Sequence, residues 1–204
     1  MKCCILAVLL LGSIAFAAEP KAARADEVAI IQTSEGDMVI EFWSDAAPNT
    51  IANFKKLARS GFYNGTTFHR IRKGFMIQGG DPLTKDPAKE QDYGNGGPGY
   101  KLSAEFNHHA HERGVISMAR ETDPNSAGSQ FFICLAPVPR LDGKYTTFGK
   151  LIKGDEVLTK IGDEPVKKNP AGEMSQPLKR IEVRTIRIVP ASGVKQVWLS
   201  ATAR

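Results

Sequence analysis

The chain is poor in cysteine. It holds three, two of them (Cys3 and Cys4) within the first four residues and the third, Cys134, between the apolar stretches "FFI" and "LA". With Cys134 alone beyond the N-terminus there is no pair to form an internal disulfide, so the fold must rest on its own core. Aromatic residues make up 8%, and they do not interleave with the basic groups "RIRK", "VKK" and "KRIEVRTIR". The formal charge of +5 therefore lacks the stripe and the stacking rings of a nucleic-acid surface, and no nucleic-acid partner is expected. Internal repeats are missing. Gly94, Gly96, Gly97 and Gly99 are not followed by Gly-Lys-Ser/Thr, which excludes a phosphate loop. Ser117 and Ser129 lack the context of a nucleophile elbow, which argues against acyl transfer. The histidines of "NHHAHE", Asn107 to Glu112, have no usual zinc spacing and read as a solvated loop, so no metal is expected.

One long apolar run is present, at the very start. Met1 and Lys2 precede "CCILAVLLLGSIAFA", and Ala15-Phe16-Ala17 has the small-x-small form of a cleavage site. This is the layout of a secretory signal peptide, too short to cross a bilayer, which takes roughly 20 residues. A second small-x-small group, Ala23-Arg24-Ala25, leaves cleavage either near 17–18 or near 25. The expectation is an exported protein, periplasmic or secreted, with no stable membrane association once residues 1–25 are removed. Residues 26–189 then form one domain, and 190–204, with Trp198, form a tail.

Within that domain the pattern is of short strands punctuated by glycine. "VAIIQTSEGDMVIEFW" is two alternating runs about a Glu-Gly-Asp turn, a β-hairpin. Ile51, Phe54, Leu57 and Ala58 recur at helical spacing, with Pro48 at the start and Gly61 past the end. Further strands are expected at "GTTFHRI", "GFMIQGG", "GVISMAR", "SQFFICL", "YTTFGKLI" and "LKRIEVRTIRIV", and a second helix at "GDEVLTKIGD". The stretch "PLTKDPAKEQDYGNGGP" reads as a polar loop. Regular short strands with two isolated helices point to a barrel or sandwich.

The chemistry concentrates in "FHRIRKGFMIQGGDP", Phe68 to Pro82. It places a fixed cation (Arg70), a ring (Phe75), a thioether (Met76) and a carboxamide (Gln78) close together, with no nucleophile. Two more stretches accompany it, "GVISMARETDPNSAGSQFFICL" and "PRLDGKYTTFGKLIKGDEVL". In this order and spacing the three resemble the cyclophilin family of peptidyl-prolyl cis-trans isomerases. "APNTIANF" is similar to that family's first helix and "GGPGYKLSAEF" to its middle loop, so the resemblance covers nearly all of residues 28–189. It implies a mainly β fold, a closed eight-stranded antiparallel barrel with two helices capping its ends. It also implies a cofactor-free, monomeric enzyme that turns X-Pro bonds in proline-containing polypeptides and assists folding. By the same resemblance Arg70, Phe75 and Gln78 are catalytic. Met76, Phe132 and Leu141 hold the proline ring with Phe75, and Ala119, Arg120 and Gln130 line the groove for the preceding residues. Arg140 stands where the family often has tryptophan, which implies reduced cyclosporin binding. Tyr145 stands where histidine is common, keeping a flat wall with a polar tip.

Such a site suits a rotation. Amide resonance holds X-Pro planar behind a barrier of roughly 18–20 kcal/mol, and no bond to carbon need break. A donor better bonded to the twisted amide than to the planar one is sufficient, which is differential binding of the transition state.

Overall fold

The computed structural model describes residues 26–194. The leader and residues 195–204 of the tail, Trp198 among them, lie outside the described residues. The elements run β1 (Glu27–Thr33), β2 (Gly36–Phe42), α1 (Pro48–Arg59), β3 (Thr66–Thr67), β4 (Arg70–Arg72), β5 (Met76–Gly79), β6 (Val115–Met118), β7 (Phe131–Cys134), β8 (Thr147–Lys153), α2 (Asp155–Gly162), β9 (Val166–Lys168), β10 (Met174–Pro177) and β11 (Glu182–Pro190). Both expected helices, the first hairpin and the last strand are in place. The polar loop after Gly80 contains two short 3-10 helices, Pro82–Lys85 and Pro87–Asp92, each opened by an aspartate (Asp81, Asp86) that accepts a backbone N–H two residues on. That is the local bonding by which aspartate favours turns.

The main sheet corrects the expected architecture. It holds nine strand segments, two of which (β3 and β4) are successive pieces of one stretch, in the order β3-β11-β1-β2-β8-β6-β7-β5-β4, and it is an open, strongly curled half-barrel instead of the expected closed barrel. Its end strands, β3 and β4, are consecutive in the chain and separated by Phe68 and His69. The backbone N–H of Phe68 donates to Ile181 and that of His69 to Gln78. One segment thus pairs with β11 through its first part and with β5 through its second. A second sheet pairs β9 with β10, a hairpin that the sequence pattern does not announce.

The core explains the helices. Ile51, Phe54, Leu57 and Ala58 on α1, and Val157, Leu158 and Ile161 on α2, are buried in the same cluster as the inward residues of the curled sheet. Phe54 meets the rings of Phe42, Tyr63, Phe131 and Phe148 at centroid distances of 5.2–5.9 Å. Burying a ring of that size is worth about 1.5–3 kcal/mol. Ala47, at the N-cap of α1, has no side chain to satisfy the first amides. Glu105 does so from outside, one oxygen accepting from Asn49 N–H at 3.0 Å and the other from Thr50 N–H at 2.7 Å. A carboxylate at a helix N-terminus also meets the positive end of its dipole.

Candidate active site

The site grows from strand alternation. In "FFIC" on β7, Phe131 and Ile133 enter the main core, while Phe132 and Cys134 face the other way into a second cluster. Register sets Gln78 opposite both Phe132 and Arg70. Arg70, Gln78 and Phe132 therefore stand in one row across β4, β5 and β7, with Met76 two residues along on the same face. The turn between β4 and β5 places Phe75 over this face, with Gly74 at φ 70° supplying a backbone conformation other residues rarely adopt.

Met76, Phe132, Cys134 and Val138 are buried together, and Phe75, Ala119, Leu141 and Tyr145 pack against them. Above this floor opens a cavity of about 300 Å³, lined by Arg70, Phe75, Met76, Gln78, Ala119, Arg120, Phe132, Arg140, Leu141 and Tyr145. The structure thus gathers nine of the ten candidate residues around one cavity. The tenth, Gln130, lines an adjoining groove of about 430 Å³, which Gln78, Ala119 and Arg120 share. Tyr145 stands edge-on to Phe132, 5.9 Å between centroids.

Polar groups lock Arg70. Its Nη1 donates to Gln78 Oε1 at 3.0 Å, Gln78 Nε2 to Gln130 Oε1 at 3.0 Å, and Gln130 Nε2 to the carbonyls of Gly94 and Gly96 at 2.8 and 2.9 Å. On its other side Nε and Nη2 donate to the two oxygens of Glu173, at 2.6 and 2.9 Å. Arg72 pairs with the same carboxylate. The Arg70 guanidinium, with Arg72, holds the Glu173 carboxyl at about 2, well below the usual range, against a desolvation that pushes it up. Three of the five guanidinium N–H groups are thus engaged, leaving one on each terminal nitrogen.

Sequence reasoning missed Glu173, which lies 103 residues from Arg70 in the β9–β10 turn. It also misplaced His111. The "NHHAHE" stretch is not wholly a solvated loop, because His111 is buried. Its Nδ1 lies 2.8 Å from Asp142 Oδ1 and its Nε2 3.1 Å from Ser117 Oγ. The backbone N–H and the ring of His111 hold the Asp142 carboxyl below its ordinary range. Distances of this kind are those of a nucleophilic triad, but Ser117 is fully buried, beyond reach of any substrate. The His111 ring stacks beneath Phe132, 5.9 Å between centroids and 11° from parallel, so the trio supports the cavity floor. Burial pushes the Cys134 thiol up to about 12, keeping it a neutral part of that floor. Among the described residues no group of three or more His, Cys, Asp or Glu is placed to hold a metal. No described helix is long and apolar enough to cross a membrane.

Residues 28–188 match the family model described as cyclophilin type peptidyl-prolyl cis-trans isomerase/CLD. The chain is 49% identical over 122 residues to a peptidyl-prolyl cis-trans isomerase of Synechococcus elongatus, covering 60% of this chain and 78% of that one. It is 42% identical over 137 residues to one of Helicobacter pylori, covering 65% and 78%. Among solved structures it is similar to a Cryptosporidium parvum cyclophilin type isomerase crystallised in the presence of the dipeptide Ala-Pro. The TM-score is 0.70 at 36% identity, over 79% of this chain and 98% of that one.

Proposed function

The chain belongs to the cyclophilin-type peptidyl-prolyl cis-trans isomerases, and we propose that it turns X-Pro bonds in exported polypeptides by holding the proline ring still while Arg70 stabilises the twisted amide. The observation that carries this reading is the locked guanidinium facing a cavity with an apolar floor. Phe75, Met76, Phe132 and Leu141 give the prolyl ring a floor and walls, while Arg70 keeps two N–H groups free at the cavity's edge. As the C–N bond rotates, resonance is lost and a lone pair returns to the prolyl nitrogen. The ends of Arg70 are placed to donate to that nitrogen or to the shifting carbonyl. Their orientation is fixed beforehand by Gln78 and Glu173, so no reorganisation is needed at the moment of twisting. Rotation makes and breaks no bond to carbon, so neither a covalent intermediate nor a metal enters the scheme.

Gln130, Ala119 and Arg120 line the groove where the residues before proline would lie. Export rests on the N-terminal apolar run, and folding assistance outside the cytoplasm is the use that follows from it. Arg140 in place of a flat indole is the basis for reduced cyclosporin binding.

The test is the cis-to-trans rate of a short Ala-Pro-Phe peptide with the mature protein and with Arg70→Ala. Wild-type acceleration is expected to fall by about 10²–10³ in the variant, the usual cost of one transition-state donor, with circular dichroism unchanged. No acceleration by the wild-type protein would leave a proline-binding module. Acceleration that survives the substitution would overturn the role of Arg70.

A further inference from the structure

Three guanidiniums line the 300 Å³ cavity and no carboxylate does. One of them, Arg70, is matched from outside by Glu173. The other two are not matched. Arg140, exposed on a 3-10 turn, lays its guanidinium over the Phe75 ring, 4.6 Å from the centroid. Arg120 lies over Tyr145 at 4.4 Å. It is pinned there by neutral carbonyls. Its Nε and Nη2 donate to Lys144 O at 3.2 and 3.0 Å, and its Nη1 to Glu121 O and Thr122 O at 2.7 and 3.1 Å. Carbonyls fix the orientation of a guanidinium without cancelling its charge. Neither residue forms an ion pair among the described residues, and three carboxylates of the flanking segments have other partners. Asp142 holds His111, Asp163 pairs with Lys73, and Glu121 pairs with Lys101.

The adjoining groove differs. Lys101 and Glu121 line it together, so charges of both signs meet there. The excess positive charge sits at the mouth of the cavity, on two planar guanidiniums backed by aromatic rings. A proline seated in the cavity carries its chain neighbours past that mouth, since consecutive residues lie only about 3.8 Å apart.

We propose that Arg120 and Arg140 make this isomerase selective for prolines flanked by an acidic side chain, an aspartate or glutamate immediately before or after the ring. The inference rests on the cavity being the prolyl site, as the proposed function has it. A guanidinium offers a carboxylate two parallel donors, and cations at a rim set specificity and encounter rate more than raw affinity.

The experiment uses the mature protein and peptides with Glu, Gln or Lys immediately before, and separately after, a single proline. The quantity is the ratio of kcat/KM for the Glu peptide to that for the Lys peptide. Exposed ion pairs are weak, so attraction of one peptide and repulsion of the other should together give a ratio of about ten at low salt. The ratio should shrink toward one near 1 M salt, where the screening length is about 3 Å. Arg140→Gln and Arg120→Gln should each lower it by about threefold. A ratio is insensitive to any general loss of turnover, and Arg140, being exposed, tests the point even if Arg120→Gln disturbs its loop. Ratios within twofold of one at both positions, or a ratio unchanged in the double variant, would overturn the selectivity. Calorimetric titration of the same peptides separates the two readings. Tighter binding of the Glu peptide without turnover would sink the isomerase and leave the selectivity standing.

Discussion

Arg70 and Arg140 look into the same cavity from opposite kinds of ground. Arg70 rises from a strand whose neighbours are buried on both sides, His69 and Ile71, and two side chains from β5 and the β9–β10 turn engage its guanidinium. Arg140 stands on a short exposed turn, with an aromatic face as its support. The same chemical group is a fixed instrument in one place and an adjustable charge in the other. A donor that must meet a developing lone pair gains from being held, because its orientation is settled before the reaction. A cation that screens arriving chains does not need to be held so tightly. The contrast can be broken or sharpened by perturbing each support in turn.

The largest effect is expected at the root of Arg70. Burial pushes the His69 imidazole down to about 4, opposed by the Asp81 carboxylate and aided by the Arg70 charge. Unfolded, it titrates near 6.5. Between those values the unfolded chain binds the proton and the native chain does not, so stability rises with pH through this window and is lost as pH falls from 6.5 toward 4. The full span amounts to about 3 kcal/mol. Urea denaturation at pH 7.5, 6 and 5 should show this slope, and His69→Gln should flatten it. A wild-type profile already flat over that range would mean that the ring takes its proton freely in the native state.

Glu173 comes next. Glu173→Gln keeps the length of the side chain and one acceptor but removes the charge and the two-point grip on Arg70. A fall in kcat of about tenfold is expected, the equivalent of about 1.4 kcal/mol, with KM changed much less, because the loss falls on orientation in the transition state. Rescue by Glu173→Asp should be poor, since a shorter carboxylate reaches Arg70 less well. A rise in KM with kcat intact would make Glu173 part of the binding surface instead.

What was legible in the sequence follows the same divide. Arg70, Phe75, Met76, Gln78 and Phe132 fall in a short stretch and on one facing strand, where alternation decides which side each residue takes, and motif spacing carried them together. The first hairpin and α1 were readable because their apolar periods are long. Glu173 was not, since it belongs to a polar hairpin of three- and four-residue strands and reaches its partner only through tertiary folding. His111 was hidden for a related reason. In a run of polar residues nothing local marks the one imidazole that turns inward, and its burial depends on Asp142 and Ser117, which meet it only in the folded chain. The split of one segment between β11 and β5 was not legible because it is made at Phe68 and His69 by backbone amides, which leave no mark in the side-chain pattern.

The smallest effect belongs to Arg140, and it tests the contrast most directly. Removing the guanidinium with Arg140→Ala uncovers one face of Phe75 and deletes a contact of the kind worth about 0.5–1 kcal/mol at an exposed site. The free energy of urea unfolding should fall by that amount at constant slope, the midpoint shifting in proportion, since the exposed surface of the unfolded chain is nearly the same. Phe75 packs against the buried floor of Met76 and Phe132 independently of Arg140, so the wall should stay in place. A loss above about 2 kcal/mol would exceed what an exposed contact supplies. It would make Arg140 a pin of the turn that carries Leu141, held as firmly as Arg70, and the division between a fixed donor and an adjustable charge would fail.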